Sequence, residues 1–197
     1  MLDSHYRPLY AVRLPYQARQ RYMHTFDLAA TAMADGFGDY LEPVVALCKA
    51  AGALNGMAHM TVDEKFVAAG MSQRRPKPHV DGCFSPHRMS WGHPLPAWLH
   101  YCNDIAGGDP VRRMPIIVAA SIAGCRAWRG QFVGDPSADG DLSHIADQLG
   151  DGEILPANVG YLLSPDCVHE SMVFDRPVER TFLRIALPVD YIHAGRR

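Results

Sequence analysis

Apolar positions along the chain keep one rhythm up to about residue 56 and another after it. Between Gln17 and Asp35 they recur as Tyr22, Met23, Phe26, Ala30 and Met33, and residues three and four apart share one face of a helix. Asp35-Gly36-Phe37-Gly38 breaks this run. Asp39 followed by Glu42 reads as a capping box, and Tyr40, Leu41, Val44, Val45 and Cys48 form a second helical stripe that Gly52 closes. From Met57 onward the apolar runs are short and bounded by turn residues: Met57 to Val67, Ile116 to Ser121, Cys125 to Val133, Val159 to Ser164, Cys167 to Phe174, and Arg180 to Leu187, which Pro188 ends. Each predicts a strand. A breaker-rich stretch from Gly70 to Pro96 and a short helix around Leu142 to Leu149 complete the pattern. Helices first and many short strands afterwards predict a mainly β fold with flanking helices packed against a barrel or sandwich. The expected organisation is a single domain over residues 1–197, with a helical N-terminal elaboration over 1–56 and a β core over 57–188.

Composition narrows the classes. A hydrophobic share of 48% and a charged share of 20% are ordinary for a globular chain. No apolar run approaches the roughly 20 residues that span a bilayer, and Met1 to Arg7 has neither a basic nor an apolar leader region. The expectation is a cytoplasmic protein with no membrane partner. A net charge of −2 gives no overall attraction to nucleic acid, which favours a small molecule or a protein side chain as substrate and keeps nucleic acid as the lesser option. Five scattered cysteines without a CxxC pair argue against a zinc ribbon or a thioredoxin-type site. Ten histidines, by contrast, call for a search for a metal site.

That search stops at His79-Val80-Asp81. Two residues apart on a strand, an imidazole and a carboxylate project from one face and can grip one ion. Farther on, Gly160 to Ser171 reads as a strand, a Ser-Pro-Asp turn and a second strand carrying His169. Two imidazoles and one carboxylate, with opposite positions open, make the facial triad of non-haem Fe(II) oxygenases. On the last strand Arg180, Phe182 and Arg184 share one face and Thr181, Leu183 and Ile185 the other. Arginines in an otherwise apolar strand are costly unless they meet anions, and a guanidinium fork suits a carboxylate.

The order His-x-Asp, distal His, then Arg on the last strand resembles the Fe(II)/2-oxoglutarate-dependent dioxygenase superfamily, over roughly residues 57 to 188. The resemblance implies a double-stranded β-helix, or jelly-roll, core. It implies Fe(II) held by His79, Asp81 and His169, 2-oxoglutarate as co-substrate and O2 as oxidant. It also implies that Arg180 clamps the distal carboxylate of 2-oxoglutarate, with Arg184 meeting substrate or exchanging roles with it. Many members carry a hydroxyl residue two positions after the clamp arginine; here Phe182 follows Arg180 and Ala186 follows Arg184. The implied reaction couples decarboxylation of 2-oxoglutarate to hydroxylation or oxidative demethylation of a second substrate.

Several further residues have a chemical and a plain reading. Tyr161 could hydrogen-bond the co-substrate or fill the core. Arg126 and Trp128 could line the pocket or form an exposed stack. Arg74 and Arg75, just before the triad motif, could bind an anionic substrate or lie on a solvated loop. His87, His93 and His100 read as loop residues, and the acidic stretches Asp135 to Asp141 and Asp147 to Glu153 as surface turns. The rival functions are a cupin-like metal protein that does not use 2-oxoglutarate, and a non-catalytic binding protein. Oligomeric state leaves no mark on the sequence.

Overall fold

A computed structural model describes residues 1–29, 36–81, 114–137 and 140–187. The expected strand from Met57 onward is present as β4 (Met57–Val67), and its alternation organises the fold. Ala58, Met60 and Val62 point to one side, into a core shared with Val44, Leu47 and Cys48. His59, Thr61 and Asp63 point to the other side and are equally buried. A strand buried on both faces must be covered twice.

Six antiparallel strands form the main sheet: β2 (Tyr6–Ala11), β9 (Val159–Leu163), β5 (Ile116–Ala120), β11 (Val178–Ala186), β4 and β3 (Gln20–Asp27), in that spatial order. Its outer face is covered by α1 (Leu41–Ala51). Gly52 ends α1 at φ 83°, the left-handed conformation that glycine adopts without a Cβ clash. The inner face packs on a smaller sheet of β10 (His169–Ser171), β6 (Cys125–Ala127) and β8 (Glu153–Ile154). Val118, Phe182 and Tyr161 of the main sheet share one apolar cluster there with Cys125 and Ala127 of the small one. Behind the small sheet lies a third cluster that includes Leu2, Val80, Trp128, Leu142 and Ile145. It is closed by β1 (Leu2–Ser4), which pairs with β7 (Gly130–Phe132), and by a short α2 (Ala146–Leu149). Among the described residues the fold is mainly β and antiparallel, with two short α-helices, and no helix there is long and apolar enough to cross a membrane.

The N-terminal segment departs from the expected helical pattern. Residues 20–27 are strand β3, not helix, and β1 and β2 precede it. The cause is a bulge: Arg21 pairs with Val62 and His24 with Met60, so Tyr22 and Met23 together face Thr61. One extra residue breaks the period of two, and the resulting 22, 23, 26 spacing imitates a helix. The Asp39 capping box also fails to form. The residue before α1 is Tyr40, without a side-chain cap, because the Asp39 carboxylate accepts from Arg19 at 2.8 and 3.0 Å. The strand expected over Cys125 to Val133 is divided between two sheets as β6 and β7.

Candidate metal centre

His79 and His169 lie directly opposite each other. Each backbone N–H donates to the other's carbonyl, at 2.9 and 3.0 Å, so the segment carrying His79 extends the small sheet beyond β10. This pairing brings the two imidazoles together, with centroids 4.4 Å apart and planes tilted by 54°. Asp81, one pleat further along, turns to the same side, with Oδ2 3.7 Å from His169 Nε2. Ligand atoms of His79, Asp81 and His169 all fall within 4.8 Å of one another, and the three could hold a metal ion.

The surroundings prepare these groups as ligands. His79 Nδ1 donates to Lys77 O at 2.7 Å and His169 Nδ1 to Cys167 O at 3.0 Å. A carbonyl only accepts, so Nδ1 carries the hydrogen and Nε2 of the neutral ring keeps its lone pair. Burial, reinforced by His169, pushes the His79 pKa down to about 3, which keeps that ring neutral. Burial alone would raise Asp81. The Arg184 guanidinium, whose Nη1 donates to Asp81 Oδ2 at 2.8 Å, outweighs it together with the two histidines and holds the carboxyl well below its usual range. Two imidazoles and one carboxylate form a donor set suited to a divalent transition metal.

The triad opens on a cavity of about 310 Å³, whose lining includes Arg74, Arg75, Gly124, Cys125, Arg180 and Arg184. Arg180 is only 1% exposed. Its Nε donates to Ile122 O at 2.8 Å, and its Nη1 donates to Gln73 Oε1. Phe174 and Phe182 flank the guanidinium carbon at 5.6 and 5.7 Å. Among the described residues no carboxylate comes within salt-bridge distance of it. Burial lowers its pKa to about 10, with Cys125 and Asp63 offsetting it only in part, still far above neutral pH, so the group stays cationic.

The other candidates divide. Arg74 lies on the cavity wall, 3.6 Å from Asp63 Oδ2 and over the rings of Tyr22 and Phe182. Arg75 also lines the cavity. Arg184, considered for the co-substrate, lines the cavity and bonds the metal-site carboxylate. Arg126 and Trp128 do share a strand face, but it is the face turned away from the cavity. Arg126 pairs with Glu170 at 3.2 Å, and Trp128 packs in the third core cluster and donates to Gly150 O. Tyr161 is a core residue set edge-on to Tyr6, and does not line the triad cavity. His87, His93 and His100 lie outside the described residues. Gln73 and Phe174, which surround Arg180, carry no motif that could have singled them out.

The fold and the site define an antiparallel β protein with a buried His-Asp-His group able to hold a metal ion. Compared with protein-family models, curated proteins and solved structures, the chain matches none.

Proposed function

We propose that the protein is a non-haem iron oxygenase with 2-oxoglutarate as co-substrate, built on a jelly-roll core. The observation that carries this reading is Arg180: a buried cation with no carboxylate within salt-bridge distance among the described residues, on the wall of the cavity that His79, Asp81 and His169 open into. A buried charge left without a counter-ion is strongly unfavourable, and an anionic ligand's carboxylate would relieve it. One cavity would then offer a metal for one end of a 2-oxo dicarboxylate and a fork for the other.

The chain path supports the jelly-roll reading. It alternates between the sheets, from β4 to the His79 segment, β5 to β6, β8 to β9 and β10 to β11. When bound, Fe(II) and 2-oxoglutarate would supply the O2 chemistry that oxidises a C–H bond. The residues of the chain bind and orient. His79 and His169 present Nε2 lone pairs, Asp81 adds a negative donor, and Arg184 fixes that carboxylate. Arg180 holds the distal carboxylate, while Phe174 and Phe182 keep water from its faces. Arg74 and Arg75 at the cavity wall favour a prime substrate carrying negative charge.

The test is succinate release from 2-oxoglutarate with added Fe(II) under air. Wild type should release succinate, while His79→Ala and Arg180→Ala should each fall at least about a hundredfold in kcat/KM, as expected for losing a ligand or a charge-assisted carboxylate contact. A metal-loaded protein that neither binds nor consumes 2-oxoglutarate overturns the reading in favour of a cupin-like metal protein.

A further inference from the structure

Gln73 is the sole side chain among the described residues that hydrogen-bonds Arg180, and it is itself 4% exposed. Its orientation is unambiguous. Nε2 donates to two backbone carbonyls, Asp63 O at 2.5 Å and Arg180 O at 3.2 Å. These acceptors demand an N–H, so the amide oxygen must face the guanidinium. With Ile122 O on Nε and Gln73 on Nη1, the plane of the fork is fixed by two acceptors and clamped between two rings. No acceptor among the described residues takes the Nη2 hydrogens, which leaves that part of the fork for a ligand.

The chemical identity of this partner matters as much as its geometry. A glutamate here could reach the same place, but its charge would neutralise the arginine internally, as happens to Arg184 with Asp81 and to Arg126 with Glu170. A carboxamide directs the fork and leaves its full charge unspent. We propose that Gln73 is the positioning residue that makes this cavity selective for a 2-oxo acid with a second carboxylate. The inference rests on the reading of Arg180 as the carboxylate clamp.

Binding to the full chain loaded with Mn(II), a redox-stable stand-in for Fe(II), separates the possibilities by calorimetry. The probes are 2-oxoglutarate and 2-oxovalerate, which has the same carbon count and 2-oxo acid end but no distal carboxylate. Wild type should prefer 2-oxoglutarate. Gln73→Met, which removes the hydrogen bonds at similar volume, should weaken 2-oxoglutarate by roughly tenfold. The near-isosteric Gln73→Glu should weaken it by roughly a hundredfold, because the clamp's charge is then compensated. Neither should change binding of 2-oxovalerate or of Mn(II). Variants that keep the wild-type preference, or that lose both ligands alike, overturn the role of Gln73. Arg180→Met in the same assay separates the two ideas. If it abolishes the preference while the Gln73 variants keep it, only the Gln73 inference falls. If wild type shows no preference, or Arg180→Met retains it, the clamp reading falls and takes the Gln73 inference with it.

Discussion

Arg180 and Arg184 are separated by a single residue on the same strand face, yet their neighbours give them different work. Arg184 meets Asp81 at 2.8 Å, so its charge is already committed, and among the described residues Arg180 hydrogen-bonds only neutral acceptors. On the proposed reading Arg184 holds a ligand in place from outside the metal's own donor set. Loss of such a partner weakens metal binding by about 10- to 100-fold. Arg184→Ala should therefore bind Mn(II) more weakly by that factor in a calorimetric titration, whereas Arg180→Ala should bind it as wild type does. A second buried charge has a structural task. The Glu64 carboxylate accepts from Tyr40 Oη at 2.6 Å, from Arg19 N at 3.0 Å and from the Arg19 guanidinium at 3.0 and 3.3 Å, tying residues 17–19 and the start of α1 to β4. Burial opposes its ionisation, but these donors win and its pKa lies below the ordinary 4.5. Glu64→Ala leaves the partly exposed Arg19 guanidinium and the buried Tyr40 phenol short of an acceptor, and should cost about 3 kcal/mol in urea unfolding at pH 7.

Where α1 crosses the main sheet, Gly160 of β9 makes the approach possible. A Cβ on Gly160 would lie 2.0 Å from Leu47 Cδ2, and Leu47 is fully buried. Gly160→Ala should thus destabilise by about 1–3 kcal/mol through overpacking. Gly160→Ala combined with Leu47→Ala should lose less than the sum of the two single changes, which a double-mutant cycle in urea would measure. The same element scale explains the principal misreading of the sequence. Strand β3 is an edge strand whose inner residues are polar: Gln20 and Tyr22 both donate to Asp63 Oδ1, at 3.1 and 3.2 Å. Its partner's polar row and its bulge exist only in the assembled sheet, so neither could inform a reading of local periodicity.

For the whole molecule, acid should be the weak point. His59 is buried on the inner face of β4 beside Thr25 Oγ1 at 3.0 Å, and burial together with the Arg184 charge lowers its pKa from 6.5 to about 4. The unfolded chain then binds the proton more readily than the folded one, so stability is full above about pH 6.5 and falls as pH drops toward 4. The loss is on the order of 3 kcal/mol from His59, with Glu64 adding its own loss below its ordinary 4.5. Urea midpoints measured from pH 7.5 to 4 should decline, and His59→Gln should make that decline shallower, with buried His79 contributing to the rest. A midpoint independent of pH over this range would contradict the burial assigned to His59. Much of this molecule was legible in the chain itself. The period of two over Met57 to Val67, the turn residues between later strands, and the spacing of His79 and Asp81 are local facts, set by side-chain direction on a pleated backbone. His169 could be matched to them by order alone. The tertiary structure decided what local pattern cannot encode: that His79 and His169 pair across strands, that Arg184 belongs to Asp81 while Arg180 is held by Gln73, and that Trp128 faces the opposite core. Those choices depend on which strands become neighbours, and neighbours distant in sequence are selected by the burial of whole faces.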